Sequence, residues 1–388
     1  MTRRRWTNRA NSFDVYGHVG RRLDDADYFG RQVHLLVRSL LPDWHDVEDP
    51  EQLQITRLSG ALTNRVYEVR ARDPNDTRHQ SRRVLLRVYG DGVDQLFSRA
   101  KELDWLRKLS AVGLGPRLLA VFGNGRLEEY LRSTTLTRDD IRTPEDSARI
   151  ARNAAQLHQI VKTYPPPETT QDGDWLASVY QWLPLARKAV ARLLADSTDG
   201  TSPAFKPEDR AEVQQVSASL ERLVDTIPQL AEAVRKINSP IVFGHNDMQY
   251  GNILRLRSEP DTLVLIDFEY AGYNPRGYDI ANHFCEWSAN YHGPTPHLLE
   301  PQHMPNAAER DIFLRAYLEE SLGRVPSDDE VETLWNEVQA YIPCSHALWS
   351  LWGLLQAGRT DIEFDYLAYG AQRQRLACES ALALGVTL

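Results

Sequence analysis

The 388-residue sequence predicts an α+β protein in two parts: a small antiparallel sheet with one or two helices, then a larger, mainly helical part. Two observations predict it. Between residues 53 and 130, short alternating apolar runs are separated by turn clusters, which is hairpin patterning. Beyond Ile141 apolar residues recur mostly at helical spacing, interrupted by two short apolar runs that each end in a polar cluster.

The first 22 residues carry Arg3, Arg4, Arg5, Arg9, Arg21 and Arg22 against Asp14 alone, and they lack an apolar face. A disordered basic arm is expected over 1–22. Residues 23–131 are expected to form the first lobe. Tyr28–Leu41 has helical spacing and stops at Pro42. Leu53–Arg70 reads as strand, turn, strand around Ser59–Asn64 (SGALTN), and a polar loop at Asp73–Arg83 leads to a third strand, Val84–Gly90. Ser98–Val112 is an amphipathic helix with Leu103, Leu106 and Leu109 on one side, ended by Gly113–Pro116. Leu118–Phe122 and Arg126–Tyr130 form a hairpin turning at Gly123-Asn124-Gly125.

Residues 132–388 form the second lobe. Helices are expected at Ala148–Val161, Asp174–Ala195, Pro207–Lys236, Tyr278–Ser288, Glu309–Leu322, Asp329–Gly358 and Phe364–Leu384. A Ser/Thr/Asp/Gly-rich loop spans Asp196–Pro207. IVFGHNDMQYGNILRL and TLVLIDFEYAGYN supply the two short apolar runs, read as strands.

Charge narrows the function. The net charge is −9, and residues 241–388 hold 9 Arg, no Lys and 21 acids, a net −12. Nucleic acid is disfavoured, because tracking phosphates needs clustered Lys and Arg. A cation would suit the last third. No apolar run approaches 18 residues, so no membrane-spanning helix is expected. Three cysteines without CxxC spacing indicate neither a disulfide framework nor zinc, and reduced thiols in the cytoplasm are the plain reading.

The chemistry concentrates at His245-Asn246-Asp247, with Asn252 five residues after the Asp and Asp267 fifteen further on. Phosphoryl transfer needs these groups: a carboxylate for the hydroxyl proton, then an Asn and an Asp to hold Mg²⁺ against phosphates. H-x-D-x-x-x-x-N followed by D-F-x is the protein-kinase spacing, here with Asn246 for Arg and Glu269 for Gly. Two acidic hairpin loops would explain either half alone, but not both in order on strand ends. Upstream, Arg87 lies on the third strand, where a kinase has its phosphate-binding Lys, and Glu102 lies on the following helix as its ion-pair partner. Ser59, Gly60 and Asn64 belong to a loop placed to cover phosphates, with a single Gly.

HNDMQYGNIL, LIDFEYAGYNPRGYDIANHFCEW and SHALWSLWGLLQA…IEFDYLAY resemble the choline/ethanolamine kinase family, as do VLLRVYG and GLGPRLLAVFGNGRLEEYL. The resemblance covers roughly Leu53 to Ala371. It implies a protein-kinase-like two-lobed fold that phosphorylates a small amino alcohol with ATP and Mg²⁺. Asp247 would be the base, Asn252 and Asp267 the Mg²⁺ ligands, and Glu269 a further carboxylate at the metal. Gln249 would lie beside the nucleotide. Arg87, oriented by Glu102, would hold phosphates, and Glu128–Tyr130 would be the hinge strand at the adenine.

A quaternary ammonium has no N–H to donate, so its site should combine aromatic faces with a carboxylate. Glu286 in FCEW, Tyr270, Tyr291, Tyr369 and Phe364 match family positions that line this pocket. Trp349 and Trp352 are three apart, on one helix face; read alone, they would pack as core. Asp279 is expected to brace the catalytic loop, His283 and His346 to be satisfied structural histidines, and Cys285 to be no nucleophile. The resemblance leans to choline, through FCEW and HNDxQxGN, with ethanolamine as the rival substrate. A catalytically inactive scaffold, a protein kinase and an aminoglycoside kinase are the other rivals. Such relatives are often dimers, so a homodimer is compatible with the resemblance.

Overall fold

Phe29, Val33, Leu36 and Val37 recur at helical spacing, and helix α1 (Ala26–Leu40) buries all four. They pack on an antiparallel sheet of β1 (Leu53–Leu58), β2 (Asn64–Ala71), β3 (Arg83–Tyr89), β4 (Leu118–Phe122) and β5 (Gly125–Glu129), in the order β1-β2-β3-β5-β4. Tyr67, Val69, Val84, Leu86, Val88 and Leu127 alternate inward, and the Phe29 and Tyr67 rings are 4.9 Å apart. Between β3 and β4 lies α2 (Arg99–Ala111), which buries Trp105, Leu106 and Leu109 together with Glu102. The β4–β5 turn needs Gly125, because a Cβ there would collide with the Arg87 carbonyl and the Phe122 ring.

These elements form one compact unit, residues 1–132, and residues 133–388 form another. This computed structural model describes residues 26–58, 64–72, 82–89, 99–168, 170, 172–199, 210–358 and 364–386. The basic arm expected over 1–22 lies outside them, as do Ser59, Gly60 and the rest of 59–63; Asn64 opens β2. So do residues 200–207 of the expected polar loop.

The second unit begins with β6 (Ser133–Thr135), then α3 (Pro144–His158), α4 (Asp174–Asp199) and α5 (Arg210–Arg235). Next come β7 (Ile241–Gly244), β8 (Ile253–Leu256), β9 (Leu263–Leu265), β10 (Gly272–Pro275), α6 (Arg276–Glu286), α7 (Ala307–Leu322), α8 (Asp328–Gln356) and α9 (Tyr366–Ala383). β10 pairs with β7, and β6, β8 and β9 make a three-stranded sheet. Helix starts are written locally. Asn306 with Glu309 and Ser327 with Glu330 form capping boxes for α7 and α8.

Several expected boundaries shift. Helix α4 runs to Asp199, past the expected stop at Ala195. β9 ends at Leu265, so Asp267 lies beyond the strand it was expected to end, in the left-handed region at φ 66°. The short strands β6 and β10 were not expected; each is held by its partner strand rather than by its own pattern. Pro184, Pro228 and Pro343 sit inside α4, α5 and α8, whose buried faces carry the helices through one missing hydrogen bond each. Among the described residues, no helix is long and apolar enough to cross a membrane.

Candidate active site

In the second unit, β7 ends at Gly244 and the chain turns through His245, Asn246 and Asp247. Asn246 takes a left-handed backbone at φ 65°. The turn is held from α6: the Asp279 carboxylate accepts the backbone N–H of His245 at 2.9 Å and of Asn246 at 2.7 Å. His158, on α3, donates to the same carboxylate from Nε2 at 2.9 Å and accepts from the Tyr317 hydroxyl at 2.8 Å. Asp279 is fully buried, which by itself would raise its pKa. The His158 bond, the nearby imidazoles and the backbone N–H of His245 outweigh that and keep the carboxylate ionised. The residue expected to brace this loop does so.

Asn246 is the hub of the turn. Its Nδ2 donates to the Tyr270 carbonyl at 2.9 Å, and its Oδ1 accepts from Asn274 at 2.8 Å. Downstream, Asn252 donates from Nδ2 to the Asp247 backbone carbonyl at 2.9 Å and to Asp247 Oδ2 at 2.7 Å. The five-residue spacing therefore closes a real contact. His245 Nε2 donates to the Ile266 carbonyl at 2.9 Å, which ties the loop to the segment carrying Asp267. Gln249 Oε1 accepts the Gly251 N–H at 2.7 Å and caps the turn before β8.

Burial, then the charges of Glu286, Asp267 and Glu269, push the Asp247 carboxyl well above the usual carboxylate range. A half-buried acid among three carboxylates is a site that favours positive charge.

Five of the six aromatic residues expected to line the pocket come together as a connected run, while the Tyr291 ring packs 5.6 Å from Tyr250. Ring centroids are 5.2 Å apart for Tyr270 and Trp349, 5.5 Å for Trp349 and Trp352, 5.9 Å for Trp352 and Tyr369, and 5.6 Å for Tyr369 and Phe364. Trp352 Nε1 donates to the Tyr270 hydroxyl at 2.8 Å. Trp182, on α4, adds a ring 6.5 Å from Tyr270 that the sequence reading passed over.

Glu286, expected to line the amine pocket, has partners within the protein: Oε1 is ion-paired with Arg373 Nη2 at 2.5 Å and Oε2 accepts from the Tyr291 hydroxyl at 2.5 Å. A carboxylate this deep needs a partner, and Arg373, fully buried on α9, supplies it.

Three other expectations hold in their contacts. Trp287 Nε1 can only donate, so His283 Nε2 accepts it at 3.1 Å and Nδ1–H goes to the Met248 carbonyl at 2.7 Å. Burial lowers the His283 pKa to about 4, so the ring is neutral. His346 Nδ1 faces Arg373 at 3.1 Å, and burial lowers its pKa well below the ordinary value. Burial pushes the Cys285 thiol up to about 11, the opposite of an activated nucleophile.

In the first unit, Arg87 on β3 stands directly across from Arg126 on β5. Arg126 Nη1 pairs with Glu102 at 2.7 Å and its Nε with Glu128, while Arg87 Nε lies 3.7 Å from Glu128 Oε1. All four side chains are buried. Arg87 and Glu102, expected as a pair, belong to one network linked through Glu128 and Arg126; sequence reasoning missed Arg126. Its only signal was an Arg two residues before a Glu on a strand, Arg126 and Glu128, which period-2 alternation puts on one face. Glu128 has its side chain committed inside this network, and Tyr130 lies 5.6 Å beneath the Arg83 guanidinium.

The profile of the choline/ethanolamine kinase family matches residues 55–378. A protein named probable choline kinase 2, from Arabidopsis thaliana, is 37% identical over 88% of this chain and 90% of its own. A human protein named choline/ethanolamine kinase is 35% identical over 85% of this chain and 80% of its own. Among solved structures, a choline kinase from Cryptosporidium parvum shares the fold with a TM-score of 0.73 at 24% identity, covering 91% of this chain and 96% of its own.

Proposed function

The chain belongs to the choline/ethanolamine kinase family, and we propose that it transfers the γ-phosphoryl group of ATP to the hydroxyl of choline, giving phosphocholine and ADP. The observation that carries the choline reading is the aromatic run from Tyr270 through Trp349, Trp352 and Tyr369 to Phe364, in the unit that holds Asp247. A quaternary ammonium is held by ring faces and by diffuse negative charge. Because Arg373 already matches Glu286, the negative field comes chiefly from Asp247, Asp267 and Glu269.

Asp247 orients the acceptor hydroxyl and takes its proton as the oxygen attacks the γ-phosphorus. The bond from that phosphorus to the β,γ-bridging oxygen breaks, and its electrons leave with ADP. Asn252 fixes the Asp247 carboxylate for this step. Its nitrogen is spent on that bond, which leaves its carbonyl oxygen as a donor for a cation. Asn252, Asp267 and Glu269 offer hard oxygens only, which fits Mg²⁺. Among the described residues there is no ready-made cluster of three or more His, Cys, Asp and Glu, and Mg²⁺ needs none, since it takes one or two carboxylates plus phosphate oxygens. Bound there, Mg²⁺ supplies charge neutralisation for the transferring phosphoryl group. Within the first unit by itself, Arg87 and the Glu128–Tyr130 strand are the groups this reading assigns to the phosphates and the adenine of ATP. Positioning supplies most of the rate.

Choline and ethanolamine presented together at equal concentration, with ATP, test the reading. The larger kcat/KM is expected for choline, with measurable turnover of ethanolamine. A preference for ethanolamine would overturn the choice of substrate, and no turnover of either amine would overturn the reaction.

A further inference from the structure

Asn282, on α6, has its side chain fully buried and its amide bonded on both sides. Nδ2 donates to the backbone carbonyl of Asn246 at 3.0 Å. Oδ1 accepts from Trp349 Nε1 at 2.7 Å and from Ser345 Oγ at 2.7 Å. Chemistry fixes which end is which, since an indole N–H only donates and a peptide carbonyl only accepts.

One amide therefore touches the peptide that carries Asp247 and the first tryptophan of the aromatic wall. The second indole reaches the same place by another path. Trp352 Nε1 bonds the Tyr270 hydroxyl, and the Tyr270 carbonyl accepts from Asn246 Nδ2. Both indole N–H groups of the wall thus end, through one intervening residue, on Asn246. A wall needed only for apolar burial would not require this, because indole nitrogens can be satisfied by any nearby acceptor.

We propose that Asn282 is a positioning residue for the transfer, locking the wall that seats the amine to the peptide that carries the base. The acceptor hydroxyl and Asp247 are then held in one frame, so a shift of the wall is also a shift of the base. The proposal rests on the amino-alcohol reading above. A misplacement near 1 Å at such a site costs on the order of 100-fold in rate.

The test is a double-mutant cycle with Asn282→Ala and Trp349→Phe, the second keeping a ring face but losing the N–H. Kinetics are read per folded enzyme with choline and with ethanolamine. Each single variant is expected to lose roughly 10- to 100-fold in kcat/KM, with kcat falling as well as KM rising. The double variant is expected to be no worse than the worse single, because each already breaks the same link. Fold-losses that multiply, or a loss confined to KM, would overturn the coupling. If Asn282→Ala does not fold, Trp349→Phe alone decides: a fall in kcat supports the link, and an unchanged kcat overturns it. A wild-type chain that takes ethanolamine but not choline sinks only the substrate choice, and the same cycle on ethanolamine still judges the coupling. A chain that takes neither overturns both.

Discussion

Arg373 and Glu286 form an ion pair buried inside the second unit, with Nη2 2.5 Å from Oε1. The pair has further neighbours: Tyr291 donates to the other carboxylate oxygen, His346 faces Nη1 and the Tyr369 ring lies 5.2 Å from the guanidinium. A charge that reads in the sequence as open to a cationic substrate is already matched by the protein.

Removing one partner of such a pair leaves an uncompensated charge in the interior, which costs about 3–5 kcal/mol. Arg373→Met is therefore expected to lower the unfolding free energy by that amount, measured by urea denaturation. Glu286→Met in the Arg373→Met background should recover part of it, because two well-packed apolar side chains leave no orphan charge. A double variant as unstable as Arg373→Met alone would show that packing, not charge, sets the cost.

Asp247 carries the opposite problem. Its carboxyl is pushed up by burial and by Glu286, Asp267 and Glu269. A carboxyl whose pKa folding raises contributes stability below its unfolded pKa and loses it as pH rises through the folded pKa. The ligand-free protein is thus destabilised near neutrality by the group proposed as its base. Asp247→Asn is expected to be more stable than the wild type at pH 7.5, with the gain closing as pH falls towards 4. Turnover should drop on the order of 10²- to 10⁴-fold. Near-wild-type turnover in this variant would remove Asp247 as the base.

The part of the site that was legible in the sequence is the part built locally. Asp247 and Asn252 meet because a single capped turn separates them, so their spacing encodes their contact. The alternating strands and the capped helices were readable for the same reason. What was hidden depends on register between distant segments. Arg126 matters because it stands across the sheet from Arg87, and Arg373 because α9 places it beside a residue 87 positions earlier. A signal for Arg373 existed: Gly370, Arg373, Ala377 and Ala381 recur at helical spacing as one buried stripe, and an arginine there demands a buried acid. Asn246 was read as a substitution for Arg, whereas it is the hub that joins the loop to Tyr270, Asn274 and Asn282.

Acid stability should report His283. Burial lowers its pKa from 6.5 to about 4, so the unfolded chain binds a proton in that interval that the folded protein refuses. The stability this contributes is present above pH 6.5 and is lost as pH falls towards 4, by roughly 3 kcal/mol in all. His283→Gln should flatten the stability-versus-pH curve between 6.5 and 4 by about one proton, measured as unfolding free energy at one-unit steps. An unchanged slope would mean that His283 is not the group that titrates.

Trp352 sits in the middle of the aromatic run, with Trp349 on one side and Tyr369 on the other. Trp352→Leu keeps bulk but removes the π face, worth about 1–2 kcal/mol to a desolvated cation. KM for choline is expected to rise roughly 5- to 30-fold, and less for ethanolamine, whose ammonium can hydrogen-bond to carboxylates instead. Equal effects on both amines would make Trp352 packing rather than a cation contact.

Gly244, just before the turn that carries Asp247, has no room for a side chain. A Cβ added there would lie 2.7 Å from Asn246 Oδ1 and 3.2 Å from the Asp279 carboxyl. Neither neighbour is free to give way. Asn246 Oδ1 already accepts from Asn274 while its Nδ2 is bonded to the Tyr270 carbonyl, so the side chain is held at both ends. Asp279 is fixed by His158 and by the two loop N–H groups it accepts. A methyl group must therefore move the His245–Asp247 turn itself. Overpacking of this kind costs about 1–3 kcal/mol, which leaves the protein folded. The displaced base should cost roughly 10- to 100-fold in kcat. Gly30→Ala, where an added Cβ meets nothing within 4 Å, is the matched control and should keep full activity. Wild-type kcat in Gly244→Ala would show that the turn tolerates the shift, and with it that Asp247 needs no such close placement.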